Sequence, residues 1–342
     1  MDTRKSKESL NFSDSDRIQM KKMMEKTTKT GVLLLNLGGP ARPADIKPFL
    51  INLFSDRGII RLGPRLLQPL LARLIATRRA PKSTANYALI GGGSPILQRT
   101  KEQALALEKL LAQEGDFLVR PCMRYWHPFA PEVLMDLIQH GVDKLILLPL
   151  YPHYSVATTG SSFVDVERAL SKCGKELPST VVRSWPTQTE YIRALAARIT
   201  EGMAYFAGEE VQLLYSAHSL PVKFIEDGDP YVTELQQTIS TLEALTGIQG
   251  ELCYQSRSGP VAWLKPSTPE TIASCAARGV KNLLILPLSF VSDHVETLVE
   301  IDMEYKKIAL DLGMRCRSTR ALNDDPLFIQ GLARLVLAAA QS

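Results

Sequence analysis

Apolar residues are distributed along the chain in short runs separated by amphipathic stretches. Val32-Leu33-Leu34-Leu35-Asn36-Leu37 is almost continuously apolar and stops at Gly38-Gly39-Pro40. Comparable runs occupy 144–150, 211–215 and 282–288. A run of this length bounded by glycine and proline predicts a strand buried on both faces, as in a parallel sheet. Helical patterns lie between the runs. Over 100–112, Ala104, Leu107, Leu110 and Leu111 recur at helical spacing, and 131–140 opens on a first-turn proline and stops before Gly141. Strands alternating with helices predict an α/β fold with right-handed crossovers.

The chain also repeats itself. Ala130-Pro131-Glu132 leads through a helical segment to Gly141-Val142 and then to the apolar run at 145–150. Thr268-Pro269-Glu270 leads, at the same spacing, to Gly279-Val280 and the run at 283–288. The expectation is two similar Rossmann-like lobes, each a parallel β-sheet flanked by helices. The first spans 30–184 and the second 185–342, with a loosely ordered tail at 1–29 and a last helix that can pack back on the first lobe. Ligands of such sheets sit beyond the carboxyl ends of the strands. That rule gathers 36–40, 150–162, 216–221 and 288–300 around one cleft.

Composition narrows the function classes. With 45% hydrophobic and 22% charged residues in 342, the chain can build sizeable cores and is not of the disordered class. Lys and Arg number 40 against 36 Asp and Glu, a net charge of +4 without a basic stripe, so no nucleic-acid partner is expected. Cys122, Cys173, Cys253, Cys275 and Cys316 are scattered, with no C-x-x-C pair. They form neither a disulfide framework nor zinc or iron–sulfur spacing, and point to a reducing compartment. No apolar run approaches the roughly 18 residues that span a bilayer, and the polar segment before Thr30 has no signal-peptide core. The expected location is cytoplasmic, with contact at the inner surface of a membrane left open.

Five polar or unusual clusters carry candidate chemistry. His218, in Tyr215-Ser216-Ala217-His218-Ser219-Leu220-Pro221, follows a buried strand. An imidazole there can take a proton near neutral pH or bind a divalent metal, or it can be a strand-end histidine bonded to a loop carbonyl. No G-x-S-x-G elbow exists, which disfavours a serine hydrolase. Asp293, His294, Glu296 and Glu300 follow another buried strand. If a helix starts near Asp293, three carboxylates stand at i, i+3 and i+7 on one face, which calls for a cation or shared protons. N-capping by Asp293 and a capping box to Glu296 explain two of these residues but not Glu300 or His294. Gly91-Gly92-Gly93-Ser94-Pro95 lacks the remainder of any nucleotide-binding fingerprint, and Ser94 as a helix cap accounts for it. Tyr151-Pro152-His153-Tyr154 and the Thr/Gly/Ser run at 158–162 suit a flat apolar ligand and an anion nest, or simply a capped helix start. Leu66, Leu67, Leu70, Leu71, Leu74 and Ile75 form an apolar stripe beside Arg65, Arg73, Arg78 and Arg79. Such a stripe normally faces a core, but with a basic flank it can also form a lip on a membrane surface.

The stretch LLYSAHSLPVKFIEDGDPY at 213–231 resembles the signature of ferrochelatases. The likeness extends to LNLGGP at 35–40, FLINLFSDR at 49–57, NYALIGGGSPI at 86–96, MRYWHP at 123–128, LYPHYSVATTGSS at 150–162, YQSRSGPVAWLKP at 254–266 and SFVSDHVETLVEID at 289–302. The resemblance implies a chelatase-like fold and insertion of Fe²⁺ into protoporphyrin IX to give protohaem, with loss of two pyrrole protons, in haem biosynthesis. It implies that His218 is the imidazole nearest the porphyrin centre, as proton acceptor, metal ligand or both, with Glu296 facing it as the second metal ligand. Asp293, His294 and Glu300 then continue a polar path away from the centre. Tyr87, Arg78, Arg79, Arg124, Trp263, Phe290 and Leu37 match family positions around the macrocycle or its propionates. The 64–75 stripe then becomes an apolar lip, a possible site of peripheral membrane contact. Porphyrin and ferrous iron are the implied partners, with no tightly bound cofactor. Animal-type members carry a 2Fe–2S cluster on a C-terminal cysteine extension. This chain ends at Ser342 without one and has Val156 where those proteins place a cysteine, so no cluster is expected. Two alternatives stand beside this one: a non-catalytic tetrapyrrole or haem carrier, and a chelatase for another pair, such as coproporphyrin III or cobalt.

Overall fold

In the computed structural model, residues 28–60, 62–257 and 259–341 are described; the expected N-terminal tail lies, through residue 27, outside them. Among the described residues, eight strands form two sheets. Strands β1 (Thr30–Asn36), β2 (Phe117–Met123), β3 (Lys144–Pro149) and β4 (Ser179–Val181) run in the order β2-β1-β3-β4. Strands β5 (Gln212–His218), β6 (Gly250–Gln255), β7 (Asn282–Pro287) and β8 (Arg315–Ser318) repeat that order as β6-β5-β7-β8. All pairings are parallel. β1 and β7 are buried along their whole length, as their unbroken apolar runs require.

The flanking helices of the first lobe are α1 (Ile46–Ser55), α2 (Gln68–Ala88), α3 (Ile96–Leu111), α4 (Ala130–Gln139) and α5 (Ser161–Leu170). The second lobe has α6 (Thr189–Ala204), α7 (Val222–Glu226), α8 (Tyr231–Thr246), α9 (Thr268–Ala277), α10 (Lys306–Asp311) and α11 (Pro326–Ala340). The internal repeat is visible at atomic level. α4 and α9 each carry a proline as their second residue, and Glu132 and Glu270 turn back to accept the main-chain N–H of Phe129 (3.2 Å) and Ser267 (2.8 Å). Leu35 pairs with Cys122 and Pro149 just as Ser216 pairs with Cys253 and Pro287. Two residues further on, Leu37 therefore takes the place in the first lobe that His218 takes in the second. After β3 and after β7 the chain enters a π-helical turn, Val156–Gly160 and Glu296–Tyr305, before continuing as α5 and α10. The hydrophobic periodicity does not predict these π turns.

One apolar core joins the lobes. It runs from Val32, Leu34 and Ile146 through Leu195 and Leu213 to Leu286 and Phe328. α11 packs on α6 and also on α3 and β3 of the first lobe, where Lys144 Nζ donates to Ala340 O at 3.1 Å. The triple-glycine loop is a place of close backbone approach. A Cβ on Gly93 would lie 2.2 Å from the Ala41 carbonyl oxygen, and Ser94 N donates to Pro40 O at 2.7 Å. Ser94 Oγ accepts from Ile96 N at 3.4 Å. We expect Gly93→Ala to lower the thermal midpoint by roughly 5–10 °C, because main chain on both sides must move; an unchanged midpoint in a thermal melt would contradict this.

The leucine stripe does not face the core. α2 turns Ala72 and Ala76 inward against Phe49, Leu50 and Phe54 of α1, while Leu66 (92% exposed), Leu67, Leu70 and Leu74 face outward. Among the described residues, no helix is long and apolar enough to cross a membrane.

Candidate active site

β5 delivers His218 at its carboxyl end, in register with Gln255 at the end of β6. The main chain of His218 is held on both sides. Its N–H donates to Ser289 Oγ at 3.2 Å, and Tyr231 OH donates to its carbonyl at 2.9 Å. The side chain stays 33% exposed. Val222 N donates to Ala262 O and Leu264 N to Leu220 O, so the segment at 262–264 folds back along the loop after His218 and sets Trp263 beside it. Phe290 presents its ring edge-on to His218, with centroids 6.0 Å apart, and lies against His294 at 4.0 Å.

A row of acidic groups meets the imidazole. His218 Nδ1 is 2.9 Å from Glu296 Oε2, the first residue of the second π turn. Ser256 Oγ is 2.9 Å from the same oxygen and also touches Glu300 Oε2, while Ser256 N donates to Glu300 Oε1 at 2.9 Å. Tyr305 OH donates to Glu300 Oε1. A hydroxyl carries one proton and cannot donate to two carboxylates at once. The row therefore holds together best when Glu300 is protonated toward Ser256 and Ser256 donates to Glu296. Burial, and then the Glu296 charge, push the Glu300 carboxyl above its ordinary value, in keeping with that arrangement.

The imidazole and its partner shift each other's titration in opposite directions. Burial alone works against a charge on His218, but the Glu296 carboxylate outweighs it and raises the histidine above its usual range. Burial likewise works against charge on Glu296, and the charges of His218 and His294 with the Ser256 hydroxyl bring it well below the usual carboxylate range. The stabilisation from His218 is full below the ordinary histidine pKa and is lost as pH rises through the raised one; that from Glu296 is lost only in acid. His294 is different. It is buried, which lowers its pKa, and its Nδ1 lies 3.1 Å from Ser292 O. Its Nε2 has no hydrogen-bond partner and stands 4.0 Å from Glu296 Oε2, directed at the acidic row.

Two sequence expectations need correction. The helix begins at Glu296, not near Asp293, so Asp293 lies ahead of it. Its carboxylate accepts from Asn323 Nδ2 at 2.8 Å and lies 3.9 Å from Arg99 Nε. The three-carboxylate face does not form; Glu296 and Glu300 share the site and Asp293 anchors the loop before it. Arg124 is not free to take a propionate. Its guanidinium holds Asp56 (2.7 Å), Asp165 (3.4 Å) and Ser161 Oγ (2.8 Å) and covers the Tyr125 ring. That cluster lines a recess of about 820 Å³ in the first lobe, with Tyr154 and Val156 on its wall and neither His218 nor Glu296.

The other residues fall as follows. Tyr87, at the end of α2, is buried in the same apolar cluster as Leu37, and Val295 of the second lobe packs against it. Burial, and then the nearby Glu296 charge, raise its hydroxyl pKa. Tyr87 and Leu37 thus approach the acidic row from the first lobe. Arg78 and Arg79 lie on the exposed side of α2, and Arg79 covers the Phe54 ring at 5.8 Å. Sequence reasoning missed Ser256, Tyr231 and Tyr305. Ser256 had a usable signal, since it follows the end of β6 beside β5; it sits at φ +64°, a conformation uncommon for serine.

His218 and Glu296 give one imidazole and one carboxylate, a donor set that suits Fe²⁺ or Zn²⁺. Among the described residues, no three His, Cys, Asp or Glu groups converge to hold an ion. Fold and site define a class: two-lobed α/β chelatases, in which an imidazole at one strand end meets carboxylates on a helix from another. The sirohydrochlorin chelatase SirB from Bacillus subtilis subspecies spizizenii, solved in complex with cobalt, shares this fold at a TM-score of 0.54 and 12% identity, over 92% of this chain and 97% of that one. The family model for ferrochelatase matches residues 29–340. Ferrochelatases of Desulfotalea psychrophila and Geotalea uraniireducens are 56% and 48% identical to this chain over 311 residues, covering 91% and 90% of it and 97% of each relative. The chain belongs to the ferrochelatase family, and is a metal chelatase of haem biosynthesis.

Proposed function

We propose that the protein inserts Fe²⁺ into protoporphyrin IX and releases two protons for each macrocycle metallated. The observation that carries this reading is the 2.9 Å contact between His218 Nδ1 and Glu296 Oε2 at the head of an acidic row. The porphyrin lies between the Leu37–Tyr87 wall and the Trp263–Phe290 wall, its centre against His218. Neutral His218 accepts a pyrrole proton, and Glu296 stabilises the imidazolium that forms. Glu296, Ser256 and Glu300 then carry protons away, with His294 as a second neutral base beside them. Once His218 is neutral, it and Glu296 offer N and O donors that replace water on the incoming iron. Arg78 and Arg79 face the propionates; Arg124 and Asp293 support the walls through their ion pairs and hydrogen bonds.

Porphyrin and ferrous iron are the partners. No tightly bound cofactor, 2Fe–2S cluster or nucleic acid enters the scheme. The protein works in the cytoplasm, with the 64–75 lip resting on the inner membrane surface. Leu66, Leu67, Leu70 and Leu74 favour that contact, and also protoporphyrin over the more charged coproporphyrin III. Replacing Leu66 and Leu70 by Glu should reduce co-sedimentation with anionic lipid vesicles several-fold and leave insertion into detergent-solubilised porphyrin intact; unchanged sedimentation would count against the lip.

The deciding experiment mixes the protein anaerobically with Fe²⁺ and each porphyrin in turn and follows the visible spectrum. Catalytic turnover, faster with protoporphyrin IX, is expected. Stoichiometric binding without metallation would identify a carrier, and turnover with coproporphyrin III alone would move the substrate assignment.

A further inference from the structure

The loop at 288–295 connects β7 to the second π turn, carries Phe290 and His294, and delivers Glu296. Three of the hydrogen bonds that hold it come from a single residue elsewhere in the second lobe. Asn323 N donates to Val291 O at 2.8 Å, Asn323 Oδ1 accepts from Asp293 N at 3.0 Å, and Asn323 Nδ2 donates to the Asp293 carboxylate at 2.8 Å. Few side chains can do this. The position needs an acceptor and a donor on one short planar group, at a backbone φ of +47° that most side chains avoid and asparagine tolerates.

A second clamp reaches across from the first lobe. Gln103, fully buried on α3, uses its amide nitrogen twice, donating to Ser292 Oγ at 2.9 Å and to Asn323 O at 2.8 Å. Two protons on one nitrogen thus tie the loop, its clamp and the first lobe together. The Gln103 carbonyl oxygen is buried without a partner. Leaving such an oxygen unmade is costly, so it is the two donated bonds that give a reason for an amide here.

Resting on the chelatase reading, we infer that Asn323 and Gln103 are positioning residues: they fix the 288–295 loop so that Glu296 meets His218 with His294 beside it, and they join that loop to the lobe that brings Tyr87 and Leu37. They touch no substrate. They act by holding the acidic row within the sub-ångström tolerance that catalysis demands.

Asn323→Gly tests this without adding backbone strain, because glycine adopts φ +47° freely. The variant should keep its thermal midpoint within about 5 °C and its porphyrin KM within about threefold. Its kcat should fall roughly 10- to 100-fold, and amide hydrogen exchange over 290–298 should accelerate. Gln103→Met, which removes both donors and the orphan acceptor, should lower kcat by a smaller factor in the same sense. Wild-type kcat in Asn323→Gly, whatever its KM, overturns the inference. If that variant does not fold, wild-type kcat in Gln103→Met does so. If the wild-type protein inserts no iron, the chelatase reading fails instead, and exchange over 290–298 still decides whether the clamp exists.

Discussion

His218→Ala should reduce iron insertion by about 10³-fold or more, while porphyrin binding, followed by quenching of tryptophan fluorescence, changes by less than about threefold. The size of the loss follows from what one side chain does. On the proposed mechanism, His218 is both the group at the end of β5 that accepts a pyrrole proton and one of the two donors offered to the metal. Its ring contacts Phe290 only edge-on, and its main chain, not its ring, carries the bonds to Ser289 and Tyr231. Removing the ring therefore leaves β5, the loop after it and the Trp263 segment in place. Unaltered insertion with retained binding would show that the imidazole is a bystander and that protons leave by another route.

Glu296→Gln should lower kcat by about 10²–10³-fold and move the pH profile. In the wild-type protein, protonated His218 neither accepts a proton nor binds iron, so insertion should rise with pH through a pKa above the ordinary histidine value of 6.5. The Glu296 charge is what holds that pKa up against burial. With glutamine in its place burial prevails, the imidazole loses its proton more easily, and the rising limb should shift to lower pH even as the maximum rate collapses. A lower rate with an unmoved limb would mean that the two groups are not coupled. Glu300→Gln should do less, because Glu300 touches the pair only through Ser256.

Much of this architecture was legible in the sequence because a doubly buried parallel strand has a strong signature. The runs at Val32–Leu35 and Leu283–Leu286 are too apolar for anything else, and the two Pro-Glu helix starts at 131 and 269 lock the repeat into register. That His218 and Glu296 come together was legible for the same reason, since both follow strand ends that such sheets gather around one cleft. What was illegible depended on a turn geometry that periodicity does not encode. A π turn begins three residues later than the expected helix, so Asp293 leaves the acidic face and becomes an anchor for Asn323. Arg124 looked available only because its partners, Asp56 and Asp165, lie 68 and 41 positions away in sequence and meet it only through the fold. By periodicity alone the leucine stripe pointed to a core and only the family resemblance to a lip; α2 packs through Ala72, Ala76 and Ile75 and leaves Leu66, Leu67, Leu70 and Leu74 outside.

The most direct test is a crystal structure of the protein bound to a non-metallatable N-methylated porphyrin. The macrocycle centre should lie within contact distance of the His218 ring and the Glu296 carboxylate, with Tyr87 and Leu37 on one side and Trp263 and Phe290 on the other. A macrocycle seated in the recess around Asp56, Arg124 and Asp165, away from His218, would contradict this.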